Sequence, residues 1–239
     1  MTLIDTSPAR ATGPDVTRIS ARCGLAFTVC QLTVMVFMAI FVLPHGGSPS
    51  DPALDRGRSV LDAAGTYRLG NYVFMLAGVL LLGFLGAVHV RLRQADPTGV
   101  LATVAVAAGT LLTLIWPLAG VLHDVALDTA QTGADVRLLG AWDAVAPYSL
   151  AFSALPRAFL LVAVAIGLRL AGGPRWLERS GLVIAALSVL GSATLVVGGF
   201  FPVLALSTLA YELWIGALAW HWLHEPRPAR TASGRAEEG

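Results

Sequence analysis

The sequence contains no lysine and few charged residues of any kind. Its 16 basic residues are all arginines, and charged residues make up only 13% of the chain. A soluble domain usually carries about 25% charged residues, so this chain has too little polar surface for a soluble fold. We attribute the absence of lysine to GC-rich coding, which indicates a bacterial source with an actinobacterial-like composition.

Other features of a soluble enzyme or a nucleic-acid-binding protein are missing as well. The formal net charge is +1, whereas recognition of nucleic acid needs a basic stripe. The two cysteines, Cys23 and Cys30, are separated by ~10 Å of helix, too far for a disulfide. No G-x-S-x-G motif, Walker loop or C-x-x-C motif occurs. We therefore expect no nucleic-acid partner and no soluble catalytic motif.

Long apolar runs dominate what is present. Hydrophobic residues make up 56% of the chain, and a helix needs about 20 apolar residues to cross a bilayer. The pattern predicts an all-α, polytopic membrane bundle of six transmembrane helices, at 22–44, 69–90, 98–122, 143–170, 176–201 and 203–223. The polar ends, 1–21 and 224–239, are predicted to be disordered tails.

The arginines predict how the bundle is oriented. With both termini in the cytoplasm, eleven arginines fall on the inner side and four on the outer side, with Arg157 inside a helix. This asymmetry follows the positive-inside rule. It predicts a multi-pass protein of the bacterial cytoplasmic membrane, in contact with the lipid bilayer. The outer segment 52–64 is predicted to form a short surface helix, and Pro202 a tight turn.

Two charges lie deep within apolar runs. Arg157 is twelve residues, or ~18 Å of helix, from Arg169, and Glu212 is nine residues, or ~14 Å, from Val203. A lone charge at the bilayer centre costs at least about 2.5–3.5 kcal/mol, and pairing removes much of that cost. The matching depths predict an ion pair between Arg157 and Glu212.

Further polar residues at this depth predict a pocket. Pro156 frees a backbone carbonyl in its helix, and Ser153 lies one turn before Arg157. Gln31 in the first span and Thr208 in the last have similar depths. The candidate ligand-binding residues are Arg157, Glu212, Gln31, Ser153 and Thr208.

Three functions are compatible with such a pocket, and a purely structural ion pair is the alternative to all three. The first is binding or transport of a small or lipophilic molecule. A six-helix unit is small for a transporter of two repeats, so transport would need a homodimer. The second is an enzyme acting on an isoprenoid or lipid, with Glu212 as acid/base catalyst. No second carboxylate lies at this depth, which counts against the enzyme.

The third function would use the histidines. His89 and His221 lie at inner helix ends, as the axial ligands of a b-type haem in an electron carrier would. His45 and His123, with Asp124, lie at outer ends and could bind a metal. The spacing is not that of any metal motif, so no cofactor is expected, and haem b is kept as the alternative.

Five short segments carry recognisable motifs: 51–55, 67–70, 179–183, 210–214 and 220–223. The first two give an Asp-rich outer loop followed by Arg-Leu-Gly at the entry to the second span, and the last helix carries Glu212 followed by Leu-Trp. Together they resemble a bacterial family of six-helix membrane proteins known only as a domain of unknown function. Within the last segment the chain departs from that family, because its last helix ends in Trp-His-Trp-Leu. The resemblance implies the six-helix fold and a family-like position for Glu212, but no activity.

Overall fold

The computed structural model describes residues 15–37, 40, 51–133, 135–143 and 145–225. These residues form eight α-helices and contain no strand. Two short 3₁₀ turns, Ala193–Leu195 and Gly198–Phe200, connect the last two helices. The helices are α1 (Val16–Phe37), α2 (Ala53–Asp62), α3 (Ala64–Ala95), α4 (Val100–Gln131), α5 (Val136–Asp143), α6 (Val145–Leu170), α7 (Arg175–Ser192) and α8 (Phe201–His224).

Six helices of the described part are long and apolar enough to cross a membrane: α1, α3, α4, α6, α7 and α8. Their outward surfaces keep large apolar side chains exposed, including Phe152, Phe159 and Leu206. Such surfaces suit contact with lipid, since lipid tails are as apolar as these side chains. The predicted all-α bundle of six membrane helices is confirmed.

The six membrane helices form a closed ring. Each packs against the next in chain order, and α8 returns to pack against α1. Smaller contacts of α6 with α3 and α8 cross the interior. We call the end of the bundle that carries α2 and α5 the cap face. The opposite end, with the α3–α4 and α6–α7 turns and the end of α8, is the loop face.

Helix α1 is joined to α3 by the Ser20 hydroxyl, which hydrogen-bonds to two backbone groups of α3. The N–H of Ala87 donates to Ser20 Oγ at 2.7 Å, and Ser20 Oγ donates to the carbonyl of Gly83. Gly83 and Ala87 are four residues apart, the spacing of a helical hydrogen bond. Ser20 thus bridges one hydrogen-bonded pair of α3 and fixes the position of α1 beside it.

The cap face is built on a close crossing of two short helices. Gly57 of α2 lies against the backbone of Val136, and Gly140 of α5 lies against the backbone of Ala53. Arg56 Nη2 also donates to the carbonyl of Gly140 at 2.9 Å. The predicted helix at 52–64 is therefore present, as α2, and it packs on α5. The apolar core beneath the cap consists of Val60, Tyr67, Ala126, Leu127, Ala130 and Leu139.

Several helix ends differ from their predicted positions. Helix α1 begins at Val16 rather than 22, so residues 16–21 are helical, and Ser20 and Ala21 are buried. Helix α4 continues past the predicted end at 122 as far as Gln131, because polar residues after 122 contact α3: His123 stacks on Tyr67, and Asp124 and Asp128 accept from Asn71 and Arg68. The predicted first-span end at 44 lies outside the described residues, as do 1–14 and 226–239.

The last connection also differs from its predicted form. Pro202 was expected to make the turn, but it occupies the first turn of α8, where proline is tolerated because its missing N–H has no helical partner. The chain instead turns through residues 193–200, which include Gly198 and Gly199. Helix α7 accordingly ends at Ser192 rather than at 201.

We expect a Gly140→Ala substitution to destabilise the cap. A Cβ atom at Gly140 would lie 2.6 Å from the carbonyl carbon of Ala53, and such overpacking costs about 1–3 kcal/mol. Gly70→Ala is the matched control, because a Cβ there meets nothing within 4 Å and alanine favours a helix. Thermal unfolding in detergent measures both; equal shifts would contradict the described crossing.

A second prediction concerns pH and the α3–α4 turn. Asp96 Oδ1 accepts from the hydroxyl and N–H of Thr98 at 2.5 and 3.0 Å, and Oδ2 accepts from Leu101 N–H at 3.1 Å. These bonds, the Thr98 hydroxyl first, hold the pKa of Asp96 below its ordinary value of 3.8. A lowered pKa gives stability that is present above the ordinary value and lost as pH falls through the lowered one.

The test compares the melting temperature of wild type and Asp96→Asn as a function of pH. We expect the variant to melt lower at pH 7, and the difference to shrink as the pH is lowered through 3.8 and below. A difference that is constant across this range would show that the carboxylate charge does not stabilise the turn.

Candidate functional site

Arg157 lies at the centre of the candidate site and is 1% exposed. Helix α6 carries it, and α7 and α8 supply its hydrogen-bond acceptors. Arg157 Nε donates to Ser188 Oγ at 3.0 Å, Nη1 to Thr208 Oγ1 at 2.6 Å, and Nη2 to Ser207 Oγ at 3.3 Å. Three hydroxyl groups from two neighbouring helices therefore hold one buried cation.

Each of these hydroxyls is oriented by its own helix. Ser188 donates to the carbonyl of Ile184 at 2.8 Å, while Ser207 and Thr208 donate to the carbonyl of Leu204 at 2.9 and 2.8 Å. A hydroxyl has one hydrogen and two lone pairs. Because the hydrogen is given to a backbone carbonyl, only lone pairs face the guanidinium, and the three hydroxyls together form an acceptor site for a cation.

Aromatic contacts complete the surroundings of the guanidinium. Its carbon lies 5.8 Å from the ring centroid of Tyr211, within the range of a cation–π interaction. Tyr211 in turn meets Phe27 of α1 edge-to-face, with centroids 6.3 Å apart. One stretch of α8 thus contacts Arg157 through residues 207, 208 and 211.

The predicted ion pair between Arg157 and Glu212 is wrong. Among the described residues, no nitrogen–oxygen distance of 4.0 Å or less joins the two side chains. Glu212 follows Thr208 by one helical turn on α8, and the guanidinium is already held at the level of Thr208. The charges are near enough to interact through space, but the described hydrogen bonds of Arg157 are to hydroxyls.

Three buried polar atoms in the middle of α1 and α8 have no hydrogen-bond partner in the described part of the chain: Gln31 Oε1, Tyr211 Oη and Glu212 Oε2. Their residues are 2%, 4% and 2% exposed. An unsatisfied buried polar group costs about 1–3 kcal/mol. A native structure that retains three of them at one place calls for an explanation.

The register of α1 against α8 brings these atoms to one level. Thr28 Oγ1 donates to the backbone carbonyl of Glu212 at 2.9 Å, and Gly216 lies against the Thr28 side chain. Because the two helices are antiparallel, Gln31 lies level with the turn from Thr208 to Glu212. We call Gln31, Arg157, Thr208, Tyr211 and Glu212 the central cluster.

Four of the five members of the central cluster were predicted from the sequence, and Tyr211 was missed. Ser188 and Ser207, which accept from Arg157, were also not predicted, although Ser207 and Tyr211 are four residues apart and adjacent to Thr208 and Glu212 on the same helix. The predicted Ser153 is fully buried, but its hydroxyl donates to the carbonyl of Leu150 in its own helix at 2.7 Å. The structure shows no bond from Ser153 to Arg157.

The predicted metal residues near the cap face are only partly described. His123 is buried in α4 and stacks on the ring of Tyr67, with centroids 5.1 Å apart. Asn71 Nδ2 lies 3.5 Å from His123 Nδ1 and donates to Asp124 Oδ1 at 2.7 Å. Asn71 therefore links the two candidates, while His45 lies outside the described residues.

The histidines proposed as haem ligands lie at the other end of the bundle. His89 is exposed on α3, whereas His221 of α8 is 3.1 Å from the carboxylate of Glu225. Within the described ranges, no group of three or more His, Cys, Asp or Glu side chains is placed to hold a metal ion. Haem binding remains an untested prediction.

The fold and the central cluster define the class of this molecule, an all-α multi-pass membrane bundle with a buried, hydroxyl-held arginine. Comparison of the chain with protein-family models, curated proteins and solved structures finds no match. The resemblance to the six-helix bacterial family therefore stays a prediction, and function has to be argued from the cluster itself.

We expect Ser188→Ala to destabilise the bundle by about 1–3 kcal/mol, since it leaves a donor of a buried cation without an acceptor. Ser180→Ala is the matched control on the same helix. Its hydroxyl also donates to a carbonyl four residues earlier, but it accepts no described hydrogen bond from an arginine, so its effect should stay within about 0.5 kcal/mol. Equal shifts in thermal unfolding would show that the hydroxyl does not support Arg157.

Proposed function

We propose that this chain is a membrane protein that binds a small, partly apolar molecule at the central cluster. The observation that supports this is the presence of three unpartnered, buried polar atoms beside a buried cation. A bound molecule with matching polar groups would satisfy these atoms. Its binding would explain why the protein by itself leaves these three atoms without hydrogen bonds.

The state of Glu212 favours ligand binding over a purely structural role. In a structural ion pair the Glu212 carboxylate would contact the Arg157 guanidinium, because a buried charge without its partner is costly. Here the hydroxyls of Ser188, Ser207 and Thr208 hold Arg157, and Glu212 Oε2 has no bond within the described residues. The carboxyl group is therefore available to another molecule.

The chemistry of the free groups describes the ligand. Tyr211 can donate or accept, Gln31 Oε1 accepts, and a carboxylate oxygen of Glu212 accepts. A molecule with hydroxyl, amine or amide hydrogens on an apolar body would match them and could pass between the lipid-facing helices. Phe27 and Ile215, both buried beside the cluster, would contact the apolar part.

The cellular setting is part of the proposal. The eleven arginines on one side against four on the other support a bacterial cytoplasmic membrane with both termini inside. Movement of the ligand across the membrane would require a second copy of the chain, because six helices are few for a transporter of two repeats.

The test is native mass spectrometry of the full chain, purified from its host in mild detergent. We expect a small-molecule adduct on wild type whose occupancy falls about tenfold in Tyr211→Phe and Glu212→Gln, the effect of losing one good hydrogen bond. Tyr72→Phe is the control, because this tyrosine is 60% exposed on α3 and should leave the adduct unchanged.

Thermal unfolding of the same variants separates binding from structure. Glu212→Gln keeps the shape of the side chain, and Oε2 has no described hydrogen bond to lose. The free energy of unfolding without ligand should therefore change by less than about 0.5 kcal/mol. An adduct that is absent from wild type or equal in every variant would contradict the proposal. So would a large loss of stability in Glu212→Gln.

A further inference from the structure

A second site lies at the loop face, apart from the central cluster. A cleft of about 700 Å³ opens between the ends of α3, α6 and α8 and the α6–α7 turn. This volume is typical of sites for small molecules, which span about 300–1,000 Å³. None of the residues that line it belongs to the central cluster, and its ligand is independent of the function proposed above.

The polar end of the cleft is a pair of donors on one carboxylate. Arg91 Nη1 is 2.5 Å from Glu225 Oε2, and His221 Nε2 is 3.1 Å from Glu225 Oε1. Each carboxylate oxygen thus has a donor of its own. Two donors that bind the two oxygens of one carboxylate can also bind two oxygens of a phosphate group. We call Arg91 and His221 the oxyanion grip.

The grip is held in place by the protein and open to solvent. The Arg91 guanidinium carbon lies 5.8 Å from the ring centroid of Trp222, which stacks on Phe84 at 5.5 Å. The side chains of Arg91, His221 and Glu225 are 33%, 29% and 32% exposed. A solute can therefore reach the grip without any movement of the helices.

One wall of the cleft is apolar, while Gln94 and the α6–α7 turn line other parts of it. Leu92, Val164 and Leu168 are buried and line it. Gly172, with a φ of +69°, makes the sharp turn from α6 towards α7 at its edge. An oxyanion grip next to an apolar wall, at the end of a membrane bundle where Trp and Arg meet the lipid headgroups, fits an amphipathic anion.

Glu225 is placed to leave the grip. It is the C-cap residue of α8, with φ −59° and ψ 131°, and its backbone N–H still donates to the carbonyl of His221 at 3.1 Å. Rotation of the Glu225 side chain is enough to release Arg91 and His221, with no change in the helix. A second anion cannot share the grip with it, because like charges in contact repel. Glu225 therefore acts as a competitor that the chain itself supplies.

We infer that this cleft binds the phosphate headgroup of an anionic membrane lipid through Arg91 and His221, in exchange for Glu225. The acyl chains would lie on the wall formed by Leu92, Val164 and Leu168. A free phosphate ion has the same oxygens and would bind the same grip, but it lacks the apolar part.

The experiment titrates the full chain in detergent with dioleoyl phosphatidylglycerol and with dioleoyl phosphatidylcholine, and native mass spectrometry counts bound lipid. We expect phosphatidylglycerol to bind more tightly. Arg91→Gln should weaken its binding about tenfold and Glu225→Gln should strengthen it about tenfold, since each change removes one charge-assisted bond. The controls are Arg93→Gln, exposed on the same helix end, and Glu178→Gln, which faces Arg169 instead.

Inorganic phosphate identifies the source of the anion. If phosphate alone displaces phosphatidylglycerol at similar concentrations, the grip is confirmed and its ligand is the free ion. Equal binding of the two lipids, or no change in Arg91→Gln, would overturn the inference. The gain in Glu225→Gln keeps the test valid if Arg91→Gln folds poorly. Glu212→Gln should leave lipid binding unchanged, which separates this site from the central cluster.

Discussion

Burial of the Arg157 charge is the constraint on which the centre of this bundle depends. A cation that leaves water must be given acceptors inside the protein. Here the acceptors are Ser188, Ser207 and Thr208, and each directs its hydrogen to a carbonyl of its own helix. The arrangement needs α6, α7 and α8 at one relative height, because a slip of one turn would remove the acceptors. Among the described residues, it leaves the buried carboxylate of Glu212 without a salt bridge to Arg157.

Helix α1 completes the site that this constraint creates. It closes the ring by packing on both α3 and α8. Its two polar anchors are Ser20, which joins the α3 backbone, and Thr28, which donates to the carbonyl of Glu212. These anchors are eight residues apart and set the height of Gln31. The contacts between α1 and α8 that close the ring also bring the unpartnered atoms of Gln31, Tyr211 and Glu212 to one level. The candidate binding site therefore lies at the interface that closes the bundle.

The two ends of the bundle are built differently, and this separates their roles. At the cap face, α2 and α5 cross with their backbones in contact at Gly57 and Gly140. At the loop face, an open cleft carries charged groups that are about one-third exposed. The inferred lipid headgroup site therefore lies at the opposite end of the bundle from the crossing of α2 and α5.

The membrane bundle could be predicted from composition and run length, because crossing a bilayer requires about 20 apolar residues and leaves few other choices. Arg157 and Glu212 could also be found, since ionisable residues are conspicuous in such runs. The residues that contact Arg157 and Glu212 could not be predicted. Sequence position gives depth along a helix, but the rotation of each helix about its axis comes from packing against its neighbours. That rotation turns Ser188 and Ser207 towards Arg157 and leaves Glu212 Oε2 without a hydrogen bond among the described residues. Contacts with α3 also extend α4 past His123 to Gln131, which the sequence pattern could not predict.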